Sequence, residues 1–259
     1  MAEKLKKLSA LIIVVGLIMV GVSYFGAKYN DLASKDAADD VKEKIEELKE
    51  NSEAYDNTDS DSGYDDGNTT SRQYKNNVDT RKLYKAVKEY DKALLDNQRR
   101  ILTSKEVYQY ACLDLTQYGI YDNAIGYISI PAIEMDLPIY LGANDSTLAY
   151  GAGHLNATTL PLNNEESGNM VLAGHTGYWG RTLFNNLPDL SEGDKVYITT
   201  YVSNCVYEVT DISVIETDDV DDLFVTKGES KLTLLTCHNG GNDRIKVSCS
   251  AIQHTQGTN

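Results

Sequence analysis

The chain has 259 residues, a formal net charge of −15 and four cysteines. So acidic a balance disfavours nucleic acid as a partner, because phosphate backbones are bound by basic surfaces. The cysteines form no CxxC pair and show no zinc-ligand spacing, which disfavours a cysteine metal site. Cys112, Cys205 and Cys249 are interpreted as core residues, although an even count in an exported chain would also allow two disulfides.

The first apolar segment covers residues 8–27 and carries no charge. A helix of that length spans about 30 Å, which matches the hydrocarbon core of a bilayer. A cleaved signal peptide is the alternative, but its apolar region is usually only about 7 to 15 residues long. Lysines precede the segment and the chain turns acidic after it, so the positive-inside rule leaves the N-terminus in the cytoplasm. We therefore predict a single-pass membrane anchor that exports the rest of the chain.

An acidic region follows the apolar segment, with 15 acidic and 6 basic residues over 31–79. Residues 36–50 carry a narrow apolar stripe at helical spacing, which predicts a solvated stalk helix or half of a weak coiled coil. Residues 51–77 are rich in Asn, Asp, Ser and Gly and are predicted to be a disordered linker.

Helical periodicity returns at Val78, where apolar residues recur at spacings of three, four and seven. A second helix is predicted from Thr103, which opens a T-x-x-E capping box, to Tyr118, just before Gly119. Both helices should pack on the domain that follows.

After Gly119 the sequence changes to about eight short apolar runs separated by Pro, Gly and Asn. Such runs without long helices between them predict a closed or nearly closed β-barrel rather than a parallel sheet. The fold class is therefore mainly β, with N-terminal helices and a transmembrane helix. The runs are AIGYISI, LPIY, GAGH, NMVLAG, DKVYITT, NCVYEVTDISVI, KLTLLTC and RIKVSCSAI.

Three predicted strand ends carry residues suited to thiol acyl transfer. The run TLLTC ends at Cys237, the turn-forming HNGGND follows, and Arg244 opens the next strand, so these two residues should face each other on antiparallel neighbours. His175 follows the run NMVLAG, just before a glycine-bounded loop. Singly, each residue has an ordinary structural explanation as a core, surface or turn residue. Their joint spacing predicts a nucleophilic cysteine site.

Residues 124–252 resemble the sortases, cysteine transpeptidases of Gram-positive cell surfaces. The resemblance rests on IGYISIPAIEMDLPIYLG, on GAGHLNATTLP with the later GNMVLAGHT, on LFNNLPDLSEGDKVYI, and on TLLTC with an arginine seven residues past the cysteine. It implies an eight-stranded sortase barrel with Cys237 as nucleophile, His175 as general acid and base, and Arg244 beside the scissile bond. Ala173 and Thr236 stand where the family lines its substrate groove.

The resemblance also implies a reaction. An LPxTG-like sorting signal would be cleaved through a thioester, and the surface protein passed to an amine of a peptidoglycan precursor. The alternative is pilin polymerisation with a pilin lysine as acceptor, because LPIYLGAN and GAGHLNATTLP resemble the class C enzymes. That class usually carries a lid motif with Asp-Pro, and no proline precedes Pro131 here, so we expect a lidless enzyme with a single anchor. A tethered β-barrel binding module with a structural Cys237 is the alternative from a different class.

No cofactor is expected. Some class A relatives bind calcium between two loops that are acidic here as well, but the spacing is not a recognisable calcium loop, and a solvated acidic surface is favoured. His154 is interpreted as support for its loop and His238 as a solvated loop residue. The acidic residues are Glu165, Glu166, Asp218, Asp219, Asp221 and Asp222.

The chain is thus predicted to divide into five segments. They are a cytoplasmic tail at 1–7, a transmembrane anchor at 8–27, an acidic and largely disordered stalk at 28–77, a helical segment at 78–119 and a sortase-like catalytic barrel at 120–259. The barrel would lie outside the cell, on the outer side of the membrane that holds the anchor.

Overall fold

A computed structural model gives the fold of this protein. The residues that it describes are 28–29, 31–50, 78–95, 98, 107–163, 167–177 and 181–252. Helix α1 covers residues 31–50, helix α2 covers Thr80–Leu95, and the one-turn helix α3 covers Asp145–Leu148. The strands are β1 (Ala124–Ile130), β2 (Met135–Leu141), β3 (Ala152–His154), β4 (Gly168–Gly174), β5 (Lys195–Thr200), β6 (Asn204–Glu216), β7 (Ser230–His238) and β8 (Asp243–Ala251).

The eight strands close into one barrel in the order β1-β2-β3-β4-β7-β8-β6-β5. The pairs β2–β3 and β4–β7 are parallel, and the other neighbouring pairs are antiparallel. Closure leaves no strand with an unpaired edge, so short strands suffice for a stable sheet. The predicted eight-stranded barrel is confirmed.

Side chains alternate between the two faces of each barrel strand, and β7 shows the pattern clearly. Leu232 and Leu234 are fully buried in the main core inside the barrel. Leu235, which points the other way, packs against a second apolar cluster on the outer face of the wall. This outer cluster is built around Leu94, Leu155, Ala157, Val171 and Leu223.

Helix α1 corrects the prediction of a solvated stalk helix. The helix forms where its spacing predicts, but Ala38, Val41 and Ile45 are only 0%, 2% and 3% exposed, and the latter two belong to the main core cluster. An ion pair also joins the helix to the barrel, because Lys42 donates to Asp136 at 3.0 Å. The narrow stripe is sufficient because the barrel wall supplies a matching apolar surface.

Helix α2 confirms the predicted helix after Val78, and its Leu83 and Val87 are fully buried. The predicted helix at 103–118 is wrong over the described residues 107–118. Two short 3₁₀ turns, Val107–Gln109 and Leu115–Tyr118, take its place.

The second of these turns has a local cause. The carboxylate of Asp114 accepts from the backbone N–H of Thr116 at 3.2 Å and from its hydroxyl at 2.6 Å, which starts a new turn in place of a continuous helix. Gly119 ends the turn with a φ of 85°, as its position after Tyr118 predicts.

Two predicted segments, the anchor at 8–27 and the linker at 51–77, lie outside the described residues. In the part of the chain that the structure does describe, no helix combines the length and apolarity needed to cross a bilayer. The five-segment division therefore stays a prediction.

All four cysteines are free thiols. Cys249 is 1% exposed and belongs to the main core, and burial raises its pKa to about 12. Cys112 and Cys205 are half-buried and pack against the same core. These three residues therefore lie where their interpretation as core residues expects.

Candidate active site

Three adjacent barrel strands bring the predicted catalytic residues into one row. Cys237 of β7 is the direct partner of Arg244 of β8 across an antiparallel ladder. On the other side, β4 runs parallel to β7 with Gly174 opposite Thr236, so His175 follows β4 at the level of Cys237. Neighbouring strands lie about 4.8 Å apart, which places the three residues side by side.

The row faces away from the barrel interior. Cys237 has the parity of Leu235, which packs on the outer cluster, and not of Leu234, which is fully buried in the main core. Cys237, His175 and Arg244 are all of intermediate exposure. The thiol is therefore open to a ligand on the outer wall, whereas Cys249 is sealed in the core.

A hydrogen bond fixes the backbone of His175, and the surroundings of its side chain lower its pKa. Its carbonyl accepts from the N–H of Phe184 at 3.2 Å, and the Phe184 ring packs on Gly174, where an added Cβ would lie 2.5 Å away. Burial lowers the pKa of His175, and the carboxylate of Asp145 partly opposes this shift. The imidazole is therefore favoured in its neutral form, which can accept a proton.

The guanidinium of Arg244 is oriented by its own turn. Its Nη1 donates to the carbonyl of Gly241 at 3.0 Å and to that of Asp243 at 2.9 Å. The turn needs glycine, because Gly240 and Gly241 have φ values of 67° and 93°. A guanidinium carries five N–H donors in a planar fork, and these two bonds use only Nη1.

Ala173 and Thr236 take different places, although both were predicted in the groove. Ala173 is half-buried on the outer face and packs against the outer cluster, which fits a groove residue. Thr236 is 2% exposed, and its hydroxyl donates to the carbonyl of Gly174 at 2.8 Å and pairs with the Thr176 hydroxyl. A groove-lining role does not fit this side chain, because strand alternation turns it inward. It ties the end of β4 to the end of β7.

The outer cluster forms an apolar floor beside the catalytic row, and the segment ahead of the barrel reaches it. Val107 and Tyr108 pack against the same cluster as Ala173 and Leu235. The carbonyl of Tyr108 accepts from the N–H of Ala143 at 2.8 Å. Val107 and Tyr108 thus cover part of the floor, and the expectation of a lidless enzyme stays a prediction.

A loop between β6 and β7 closes the floor, and the sequence did not reveal how it is held. Asp222 of this loop forms an ion pair with Lys246 of β8, which is 6% exposed. The backbone carbonyl of Asp222 accepts from Asn169 of β4 at 3.1 Å. The loop thus crosses the outer face of β7 and is held on both sides. The sequence held one signal for this contact, because Lys246 occupies a position of β8 whose side chain points to the outer face of the barrel.

Of the two acidic loops considered for calcium, only the one with Asp218, Asp219, Asp221 and Asp222 lies within the described residues. Asp222 directs its carboxylate to Lys246, and no three metal-ligand side chains of the described part come together. Glu165 and Glu166 lie outside that part. The acidic loop therefore supplies no step in the chemistry below.

A second cysteine–histidine contact lies away from the cleft. The thiol of Cys112 is 3.9 Å from Nδ1 of the fully buried His154. On the other side of the ring, Nε2 lies 3.2 Å from the carbonyls of Thr158 and Thr159. The interpretation of His154 as support for its loop agrees with these contacts. His238 is exposed, in agreement with a solvated loop residue.

The arrangement at Cys237 can carry out acyl transfer. A thiol, an imidazole that accepts protons and a non-titrating cation lie in one row on an open wall. The cation can stabilise an oxyanion, and the apolar floor can bind an extended peptide.

The comparison with protein families agrees with this geometry. A family model described as the sortase domain matches residues 128–252. Sortase A of Streptococcus agalactiae serotype III is 36% identical over 115 residues, which cover 44% of this chain and 46% of that protein. The chain spans about half the length of the curated relatives it matches.

Solved structures cover more of the chain. Sortase C1 of GBS pilus island 1 is 29% identical, with a TM-score of 0.60 over 68% of this chain and 90% of that one. A pilus-related sortase C of group B Streptococcus is 30% identical, with a TM-score of 0.56 over 67% of this chain and 91% of that one.

Proposed function

This chain belongs to the sortase family of cysteine transpeptidases, and we propose that it cleaves an LPxTG-like sorting signal and transfers the surface protein to an amine of the cell wall. The observation that carries the proposal is the direct pairing of Cys237 with Arg244, with His175 at the same level of the next strand. The predicted anchor would hold the barrel on the outer side of the membrane.

In the first half of the reaction, the thiol proton of Cys237 passes to His175, and the thiolate Sγ attacks the threonine carbonyl of the sorting signal. The C–N bond breaks, a thioester forms, and His175 passes the proton that it took from Cys237 to the leaving amine. Arg244 donates to the oxygen that carries negative charge in the tetrahedral intermediate, an effect worth about 3 to 4 kcal/mol for a well-placed donor.

In the second half, an amine attacks the thioester. His175 accepts the proton of that amine, and the thiolate of Cys237 leaves as the new amide bond forms. The proton then returns from His175 to Cys237, which restores the starting state. Ala173 and the outer cluster would exclude water from the acyl group, which favours transfer over hydrolysis.

A pilin lysine is the second candidate for the acceptor. The observation in its favour is that two of the similar solved structures are pilus sortases. Both candidates share the thioester and differ only in the amine that resolves it.

The test uses the full chain, a fluorogenic LPxTG-type peptide, and two acceptors, a short peptidoglycan stem peptide with a free amine and a pilin-derived lysine peptide. We expect a thioester on Cys237 by mass spectrometry, and a ligated product with the stem peptide. Cys237→Ala should form neither, while Cys112→Ala, the matched control, should form both.

Two other outcomes would change the assignment. A ligated product with the lysine peptide alone would identify a pilin polymerase. The absence of any adduct in the folded wild-type chain, across a panel of sorting peptides, would leave a tethered binding module in which Cys237 is structural.

A further inference from the structure

We propose that Asp31 of helix α1 is a positioning residue for His175, and that it acts through the loop segment 181–185. The helix ahead of the barrel would then belong to the catalytic domain. The inference rests on the proposed function, because it assigns His175 a role in catalysis.

The first step is a two-point contact between helix and loop. Oδ1 of Asp31 accepts from the backbone N–H of Thr182 at 2.6 Å, and Oδ2 accepts from the Thr182 hydroxyl at 2.7 Å. Charge-assisted bonds of this length are stronger than neutral ones, and two of them fix orientation as well as distance. The partners are 151 residues apart in sequence.

Further contacts fix the position of Arg181, the residue before Thr182. Arg181 donates to the backbone carbonyl of Ala149 and lies 3.5 Å from the hydroxyl of Ser34, a buried residue of α1. Its guanidinium also lies over the ring of Tyr150, 4.5 Å from the ring centre. Helix α1 therefore contacts two consecutive loop residues with two of its own side chains.

The loop segment in turn holds His175. Two residues after Thr182, the N–H of Phe184 donates to the His175 carbonyl, and the fully buried ring of Phe184 packs on Gly174. Leu183, between Thr182 and Phe184, has a φ of 35°, which a leucine adopts only when its surroundings impose it. The chain of contacts runs without a break from Asp31 to the backbone of His175.

The residues through which α1 stabilises the fold by packing lie elsewhere on the helix. Val41 and Ile45 pack in the main core, about three to four turns along the helix from Asp31. Removing the Asp31 carboxylate leaves that packing in place. The effect on the loop can therefore be separated from the effect on folding.

The test compares steady-state transfer by the full chain with Asp31→Ala and with the control Asp36→Ala, an exposed acidic residue of the same helix. Because misplacement of a catalytic group by about 1 Å can cost a hundredfold in rate, we expect kcat to fall by about tenfold or more in Asp31→Ala. KM should change by less than about twofold, since the peptide-binding floor is untouched. Asp36→Ala should match the wild type.

Two further variants separate positioning from folding. Asp31→Asn keeps an acceptor for the Thr182 N–H and should recover most of the lost kcat. Thr182→Val removes only the hydroxyl contact and should lower kcat in the same direction. Combined with Asp31→Ala, it should add little, because the two side chains make one contact.

Hydrogen exchange of the peptide 181–187 gives a readout independent of activity. We expect faster exchange in Asp31→Ala than in Asp36→Ala, with the strand amides of β7 unchanged. Unchanged exchange, or faster exchange with an unchanged kcat, would overturn the positioning role. If the wild-type chain shows no transfer at all, the proposed function fails, and the exchange result still decides whether Asp31 holds the loop.

Discussion

Cysteine and histidine are brought together at two places in this molecule, at Cys112 with His154 and at Cys237 with His175. In the first pair His154 is fully buried and Cys112 is half-buried against the main core. Burial raises the pKa of Cys112 to about 12 and lowers that of His154 to about 4. Both groups are therefore neutral over the physiological range. The second pair lies on the open outer wall. Identical side-chain types thus form a structural contact in one place and a candidate catalyst in the other.

The charged groups nearest to the two cysteines also differ. After burial, the next contribution that raises the pKa of Cys112 is the carboxylate of Asp91, which disfavours a second negative charge. Cys237 instead faces the guanidinium of Arg244 across the ladder. Proximity of a cysteine to a histidine is therefore not a site by itself, because burial of the histidine and the nearest charge decide the chemistry.

The largest expected difference between the two pairs is in thiol reactivity. At about neutral pH the thiolate fraction of a thiol with a pKa of about 12 is roughly a thousandfold below that of an ordinary cysteine, so iodoacetamide should label Cys112 that much more slowly. Labelling of Cys237 should be fast and should track the loss of transfer activity. Peptide mass spectrometry over time measures both, and the urea-unfolded chain, in which all four cysteines react alike, is the control. Rapid labelling of folded Cys112 would contradict the distinction.

The charge beside Cys237 should matter next. Arg244→Lys keeps the charge but loses the fork, and we expect kcat/KM to fall by about 10² to 10³, the cost of removing one oxyanion donor. The melting temperature should stay near that of the wild type, because Arg244 is only half-buried. Arg81→Lys, on the exposed face of α2, is the matched control. Full activity in Arg244→Lys would reduce Arg244 to a surface residue.

The fully buried His154 should affect the pH dependence of stability. Below a pH of about 6.5 the unfolded chain protonates His154, while the folded chain does not do so until about pH 4, so acid favours unfolding. The free energy of unfolding should therefore fall by about 3 kcal/mol over this interval. Urea titrations at a series of pH values measure it.

The matched variants for this experiment are His154→Gln and His238→Gln. The first should be less stable at neutral pH and should lose this part of the acid dependence. The second should keep it, because His238 is exposed. Equal slopes in the wild type and His154→Gln would show that His154 is not the group responsible.

The smallest expected effect concerns the loop between β6 and β7 that crosses the outer face of β7. Lys246→Met removes the ion pair with Asp222 and frees one side of the loop, so we expect KM for the sorting peptide to rise by about fivefold, equivalent to about 1 kcal/mol. The value of kcat should change little. Asp221→Ala, next to Asp222 in the same turn, is the control and should match the wild type. A loss of kcat without a change in KM would place Lys246 in the chemistry instead.

In helix α1 the structure differs from what the sequence pattern indicates. Its apolar stripe is narrow and its surroundings are acidic, which by itself indicates a solvated helix. The barrel supplies what the helix lacks, an apolar surface for Val41 and Ile45 and a carboxylate at Asp136 for Lys42. Asp136 lies 94 residues from Lys42 in sequence, beyond the reach of any local pattern.

The sequence by itself determined the eight strands, the barrel class and the facing of Cys237 and Arg244, because alternation and turn residues are local signals with a two-residue period. Tertiary structure alone decided the parallel pairing of β4 with β7, which brings His175 level with Cys237, and the inward turn of Thr236. It also decided which cysteine lies beside a fully buried histidine and which lies beside an arginine. The physical reason is that burial and charge at a residue depend on the whole set of neighbours that packing assembles.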